Sequence, residues 1–147
     1  MNETIAIGND HAGTKLKFKI NEFLEELGYK IRNYGTDSDE SVDYPDYVHP
    51  VTQSLEEGKA AFGILICGSA QGVSMAANKY KGIRAAVCWD SEIAVLSRKH
   101  NDANVLCLPA RFLTEKNANK IALVFLQTAF EGGRHLKRIE KIGLKAS

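Results

Sequence analysis

The feature of this sequence that most constrains its fold is a series of short apolar runs that alternate with helical patterns. The runs lie at residues 4–8, 29–33, 62–67, 84–88 and 104–108. They are continuous rather than alternating, which is typical of parallel strands that are buried on both faces. Strands separated by helices favour an α/β fold. We therefore predict a Rossmann-like domain with five parallel strands and helices on both faces of the sheet.

Apolar side chains recur with helical spacing between these runs. The predicted helices lie at about residues 16–27, 48–55, 93–101 and 118–129. Gly28 is expected to end the first helix, and Pro50 to lie in the first turn of the second. Thr114 is the expected N-cap of the fourth. A last, basic helix at about residues 134–143 is expected after the glycine pair at 132–133.

The bulk properties narrow the class of protein. The 147 residues suit one domain spanning residues 1–147, and the formal net charge is +1. This balance argues against nucleic-acid and membrane partners, and the apolar runs are too short to span a bilayer. Three cysteines without metal-ligand spacing predict free thiols, a reducing compartment and no metal site. Residues 1–5 show no basic and apolar leader, so we expect a cytoplasmic protein.

Chemistry-bearing residues follow the predicted strands. In open parallel sheets, ligands bind at the carboxyl ends of the strands. Because these ends meet at one edge, a carboxylate, an imidazole, a thiol and a guanidinium are expected to come together there. The residues at the five strand ends are Asp10 and His11, Gly35 and Thr36, the loop 67–72, Trp89 and Asp90, and Arg111.

Cys67 carries the sharpest of these signals, because the small-residue loop Gly68-Ser69-Ala70-Gln71-Gly72 follows it and a helix begins there. The free N–H groups of such a loop favour negative charge. They are expected to lower the pKa of Cys67 and to hold an oxyanion beside it. The alternative is a buried cysteine in a tight turn, which is the preferred interpretation for Cys88 and Cys107. A phosphatase loop is disfavoured, because Val73 stands where Cys-x5-Arg requires arginine.

Two polar groups lie later in the chain. His100 falls on the apolar face of its helix near the C-terminal end, so it is either a core histidine or a group that exchanges protons. Arg134 and Arg138 are four residues apart and share a helix face, which suits a phosphate clamp. The alternative is a solvated basic helix, and solvent exposure is also what we expect for His135, Lys137 and Lys141.

Together these motifs resemble the family of ribose-5-phosphate isomerase B, which also includes galactose-6-phosphate and allose-6-phosphate isomerases. The resemblance covers nearly the whole chain in the family's order. It rests on GNDHAG at 8–13, DYP at 43–45, CGSAQG at 67–72 with AANK at 76–79, GIRA at 82–85, SR, HND and NVL within 97–106, and EGGRH at 131–135. Each piece alone is weak, whereas their combination is highly specific.

The resemblance implies a three-layer α/β/α sandwich that forms a homodimer or a dimer of dimers. It implies active sites built from both subunits, with the C-terminal helix packed on the partner, and no metal or organic cofactor. The implied activity is the interconversion of ribose 5-phosphate and ribulose 5-phosphate through an enediolate, within the pentose phosphate pathway. The alternatives are a six-carbon sugar phosphate as substrate and a non-catalytic module that binds a phosphorylated ligand.

The resemblance also implies a role for each motif residue. Cys67 would move the proton between C1 and C2. His100, reaching in from the partner subunit, would open the sugar ring with help from Asp10. Asn101 would hold substrate hydroxyls. The enediolate would be held by Ser69 and by the amides of Gly68, Ala70, Gln71 and Gly72, and the phosphate by His11, Arg111, Arg134 and Arg138.

Three positions differ from residues found in the family. Ala70 stands where glycine is usual, so a positive φ there would strain the backbone. Asn9 stands where a smaller residue is usual, and we expect both Ala70 and Asn9 to touch the sugar site. Some members use a glutamate just after the glycine loop as the base. Val73 occupies that position here, which leaves Cys67 as the candidate base.

Overall fold

The computed structural model describes residues 3–143, which form five strands and six α-helices. Each predicted strand is present, with both ends within one residue of the prediction. The bounds are β1 (Thr4–Asn9), α1 (Thr14–Glu26), β2 (Lys30–Asn33), α2 (Pro45–Glu56), β3 (Phe62–Cys67), α3 (Gln71–Ala77), β4 (Ala85–Val87), α4 (Ser91–Asn101), β5 (Val105–Pro109), α5 (Glu115–Gln127) and α6 (Arg134–Glu140).

All strand pairs are parallel, and the order in the sheet is β2-β1-β3-β5-β4. From β1 the chain moves to β2 on one side and returns through α2 to β3 on the other. This reversal opens a crevice at the carboxyl ends of β1 and β3, the usual place for a ligand in such sheets. The predicted α/β fold is confirmed.

Helices cover both faces of the sheet and give the protein two cores. On one face, α1, α4 and α5 pack against alternate strand residues such as Ile7, Ile64 and Leu106. On the other face, α2 and α3 pack against the intervening residues, among them Leu65 and Cys67. The inner strands β1, β3 and β5 are buried on both faces, which is why their sequences show no alternation. The edge strand β2 differs, because Lys30, Arg32 and Asn33 are exposed.

Local signals set most helix ends. The Thr114 side chain accepts a hydrogen bond from the Asn117 N–H at 3.2 Å, so this residue is the N-cap that the sequence predicts. The turn after α1 passes through Gly28 at φ 96°. The prediction for Pro50 was wrong, because α2 begins at Pro45 and encloses Pro50. Pro45 suits a first helical position, where the missing N–H has no helical partner to lose.

The predicted helix at residues 134–143 is shorter than expected, since α6 ends at Glu140. Residues 144–147 lie outside the described part of the chain. Within residues 3–143, no helix combines the length and apolar character that a bilayer span requires.

The buried side chain of Arg98 connects the C-terminal end of α4 with neighbouring segments of the chain. Arg98, in α4, donates from Nε to the Thr128 carbonyl at 3.0 Å and from Nη1 to the Ala103 carbonyl at 2.5 Å. It also pairs with the Asp102 carboxylate at 2.8 Å, and its guanidinium lies 5.0 Å from the centre of the Phe62 ring. These contacts fix the C-terminal end of α4 against the segment that follows α5.

Candidate active site

A pocket of about 410 Å³ opens in the crevice at the carboxyl edge of the sheet. It gathers residues from the ends of β1, β3 and β5 and from the loop before α2. Seven residues predicted for the site line it, namely Asp10, His11, Cys67, Gly68, Ser69, Gly72 and Arg111. Of the remaining loop residues, Ala70 is fully buried and Gln71 begins α3, and neither lines the pocket.

Cys67 ends β3, and only 5% of the residue is exposed. Burial raises the pKa of the Cys67 thiol, and the nearby Asp10 carboxylate raises it further. The N–H groups of Val73, Ala70 and Ser69 act in the opposite direction and lower the pKa, as the sequence predicted. Burial outweighs them, so the predicted net lowering was wrong. The Cys67 thiol therefore ionises at a higher pH than an exposed cysteine would.

Ala70 lies in the left-handed region at φ 64°, ψ 1°. The backbone strain that a positive φ would impose on an alanine is therefore present here. It costs about 1 kcal/mol relative to glycine. The conformation turns the chain directly from β3 into α3, with the Ser74 N–H bonded to the Ala70 carbonyl at 3.3 Å. The loop amides are thereby held close to the Cys67 sulfur.

Two glycines of the loop leave little room for a side chain. A Cβ at Gly68 would lie 3.0 to 3.2 Å from the Arg111 side chain, whose backbone N–H donates to the Gly68 carbonyl at 3.1 Å. A Cβ at Gly72 would lie 2.4 Å from the Tyr44 ring. The loop is therefore closed on one side by a guanidinium and on the other by a phenol.

Asp10 and His11 are held by short local contacts. The Asp10 carboxylate accepts the Ala12 N–H at 3.0 Å and caps the 3₁₀ turn His11–Gly13. The Nδ1 atom of His11 accepts the Val42 N–H at 3.2 Å. In the neutral ring, Nε2 then carries the proton, so this atom is a hydrogen-bond donor suited to an anion.

Asn9, which was expected to touch the sugar site, does not line this pocket. Asn9 is 1% exposed, and its Nδ2 donates to the Asp10 carbonyl at 2.8 Å and to the Thr36 carbonyl at 3.1 Å. A Cβ at Gly35 would lie 1.8 Å from the Asn9 Oδ1. Asn9 thus joins the end of β1 to the loop after β2.

The residues that directly follow the two outermost strands, β2 and β4, do not line this pocket. Trp89 and Asp90 follow β4 and line a separate hollow of about 210 Å³ beside α5. Thr36, which follows β2, accepts a hydrogen bond from the buried Lys17 at 2.5 Å. The strand ends that meet are therefore those of β1, β3 and β5.

The other predicted site residues form a second group away from the pocket. His100 and Asn101 end α4, which runs from the carboxyl end of β4 back to the amino edge of the sheet. Arg134 and Arg138 are exposed on α6, which packs against α4. Within one chain, this group does not line the cavity that holds Cys67.

Three residues near these groups were missed or misjudged from the sequence. Tyr44 and Phe112 line the pocket, although only the DYP motif hinted at the first. His135 was expected in solvent but is 5% exposed and stacks on His100, with ring centres 4.5 Å apart. A position on a short basic helix gave no periodic signal for its burial.

Comparison with known proteins decides the family. A family model described as Ribose/Galactose Isomerase matches residues 5–142. A probable ribose-5-phosphate isomerase B of Mycoplasma pneumoniae is 48% identical over 143 residues, covering 97% of this chain and 94% of the relative. The ribose-5-phosphate isomerase B of Escherichia coli is 45% identical over 138 residues, covering 94% and 93%. This chain belongs to the ribose/galactose isomerase family.

Solved structures of the family share the fold described above. A ribose 5-phosphate isomerase from Thermotoga maritima has a TM-score of 0.94 at 49% identity, covering 95% of this chain and 97% of that one. The type B enzyme of Trypanosoma brucei has a TM-score of 0.92 at 45% identity, covering 97% of both chains. The resemblance drawn from the motifs is confirmed.

Proposed function

We propose that this protein interconverts ribose 5-phosphate and ribulose 5-phosphate through an enediolate. The observation that carries the proposal is the Cys67 sulfur in a pocket at the sheet edge, next to loop amides that can receive negative charge. Relatives at 45% and 48% identity bear the name ribose-5-phosphate isomerase B, which supports the substrate. We also propose that the enzyme works in the cytoplasmic pentose phosphate pathway, where its three free thiols would stay reduced.

In this proposal, Cys67 is the base that moves a proton between C1 and C2. The negative charge that develops on the substrate oxygens is met by Ser69 and by the N–H groups of residues 68–72. General base catalysis contributes typically about 10²- to 10⁴-fold to a rate, and one oxyanion donor about 10²- to 10³-fold. The proton moves within one carbon skeleton, so the proposed reaction needs no redox cofactor.

The phosphate is proposed to lie among His11, Arg111, Arg134 and Arg138. His11 and Arg111 line the pocket, whereas the other two arginines are on α6 with His100 and Asn101 nearby on α4.

A homodimer, alone or paired into a tetramer, would bring the second group of one subunit to the pocket of its partner. There, His100 and Asp10 would open the ring and Asn101 would hold hydroxyls. The division of these residues between opposite sheet edges supports such a shared site.

A substrate panel tests the proposed function. Purified protein is assayed with ribose 5-phosphate, allose 6-phosphate and galactose 6-phosphate, alongside Cys67→Ala and the control Cys88→Ala. We expect turnover of ribose 5-phosphate, a loss of at least about 10²-fold in Cys67→Ala, and little change in the control. Preference for a six-carbon substrate would reassign the sugar. Turnover of none of them, with tight binding of a phosphorylated ligand, would favour a non-catalytic module.

A further inference from the structure

The second group contains a pair of histidines that the proposed reaction does not fully use. His100 ends α4 and is half-buried, whereas His135 lies beneath it in α6 and is 5% exposed. The two rings are nearly parallel, with an interplanar angle of 15° and a centre-to-centre distance of 4.5 Å. One face of the His100 ring is therefore covered by a ring that is itself held inside the protein.

His135 lies beside the Glu131 carboxylate. Its Nε2 atom is buried, has no hydrogen-bond partner within the usual limit, and lies 3.6 Å from the Glu131 Oε1. The Glu131 N–H donates to the Lys99 carbonyl at 3.1 Å, next to His100 in the chain. The turn between α5 and α6 passes through Gly132 and Gly133, at φ 72° and 58°, which lets it fold back onto α4.

The side chains of His100, Glu131 and His135 also bring possible metal ligands within 4.8 Å of one another. The lone pairs of an imidazole lie in the plane of its ring. Two stacked, nearly parallel rings therefore do not direct their lone pairs at one ion. The geometry instead suits a stack in which the outer ring is oriented by the inner ring, and the inner ring by the carboxylate.

We propose that His135 is a positioning residue that sets the ring orientation of His100, and that Glu131 sets the orientation of His135. This inference rests on the proposed function, in which His100 opens the sugar ring. Stacking leaves the ring of His100 free to move within its own plane but resists tilting. A proton donor and acceptor must meet the ring oxygen and the C1 hydroxyl at hydrogen-bond distance, and a misplacement of about 1 Å can cost about 10²-fold.

The test separates ring opening from proton transfer between C1 and C2. Ribose 5-phosphate closes into a ring, whereas ribulose 5-phosphate stays open because its C5 hydroxyl is esterified. Exchange of the C1 proton of ribulose 5-phosphate with heavy water, followed by NMR, therefore needs Cys67 but no ring opening. Turnover of ribose 5-phosphate needs both steps. The wild-type rates serve as the reference for each measurement.

We compare His135→Leu, which removes the stacked ring, with His135→Phe, which keeps a flat ring but removes its nitrogens. In His135→Leu we expect turnover of ribose 5-phosphate to fall by about 10- to 100-fold, with exchange within about twofold of wild type. His135→Phe should recover much of the turnover. His100→Asn gives the size of a complete ring-opening defect with the exchange reaction retained.

Parallel losses of turnover and exchange in folded His135→Leu would overturn the proposal, as would unchanged turnover. If that variant does not fold, Glu131→Ala, at an exposed position, decides the question: a selective loss of turnover supports the proposal and wild-type turnover overturns it. Wild-type protein without ribose 5-phosphate turnover would instead refute the proposed function. The two failures are therefore distinguishable.

Discussion

At the scale of single residues, the properties of Cys67 come from a balance between burial and loop amides. Burial raises the pKa of the thiol, while the N–H groups of Val73, Ala70 and Ser69 lower it by a smaller amount. The sequence predicted the amides, because a glycine-rich turn before a helix is a local signal. It did not predict the depth of the sulfur, which α2 and α3 create by packing over the end of β3.

The raised pKa of Cys67 leads to a prediction for the pH dependence of the rate. The thiol is mostly protonated at neutral pH, so the fraction of thiolate grows as pH rises toward the pKa. We expect kcat/KM for ribose 5-phosphate to increase from pH 7 to pH 9, by up to about tenfold per unit. The Cys88→Ala control should follow the same curve. A rate that is flat or falls over this interval would remove the ionisation of Cys67 from the limiting step.

At the scale of helices and strands, sequence patterns predicted which elements exist better than they predicted how those elements are arranged. The apolar runs identified all five strands, and Thr114 identified the start of α5. The position of β5 between β3 and β4 could not be read from the runs, because the runs of β3 and β5 are apolar on both faces and carry no information about which strand lies beside them. Likewise, α6 is too short for its buried position, His135, to stand out.

Arg98 provides a test of how α4 is anchored. Replacing Arg98 with leucine leaves the Ala103 and Thr128 carbonyls without their donor and removes one partner of Asp102. We expect the free energy of unfolding to fall by about 3 kcal/mol, measured by urea denaturation. Arg84→Leu is the matched control. Arg84 also contacts Asp102 but is less buried, so its loss should cost about 1 kcal/mol.

Equal costs for the two arginine variants would contradict the view that burial gives Arg98 its importance. The comparison also bears on the histidine stack. Arg98 holds the Thr128 carbonyl just before the segment that carries Glu131 and His135. Loosening that attachment is therefore expected to disturb α6 before it disturbs the sheet.

At the scale of the whole molecule, the proposed site residues are divided between opposite edges of one sheet. Asp10, His11, Cys67 and Arg111 meet at the carboxyl edge, while His100 and the α6 arginines lie toward the amino edge. The sequence listed both sets but could not show this separation, since His100 and Cys67 are brought to different edges by the direction of α4. Because the two groups lie apart within one chain, a site shared between subunits can be tested by combining variants of the two groups.

Mixing two inactive variants tests the shared site. Cys67→Ala and His100→Asn are purified separately, unfolded, mixed in equal amounts and refolded. If each site takes Cys67 from one subunit and His100 from the other, half of the dimers are mixed and each has one intact site. We expect recovery of about a quarter of wild-type activity. Refolding each variant alone is the control, and no recovery in a mixture shown to contain mixed dimers would place both residues in one subunit.

The contact between Asn9 and Gly35 links two positions that are far apart in the chain. The amide oxygen of Asn9 fills the space that any side chain at position 35 would require. Over the history of such a chain, glycine at 35 cannot be lost while asparagine remains at 9. A smaller residue at position 9 would not release that constraint by itself, because a Cβ at position 35 would still lie 2.8 Å from the backbone nitrogen of residue 9.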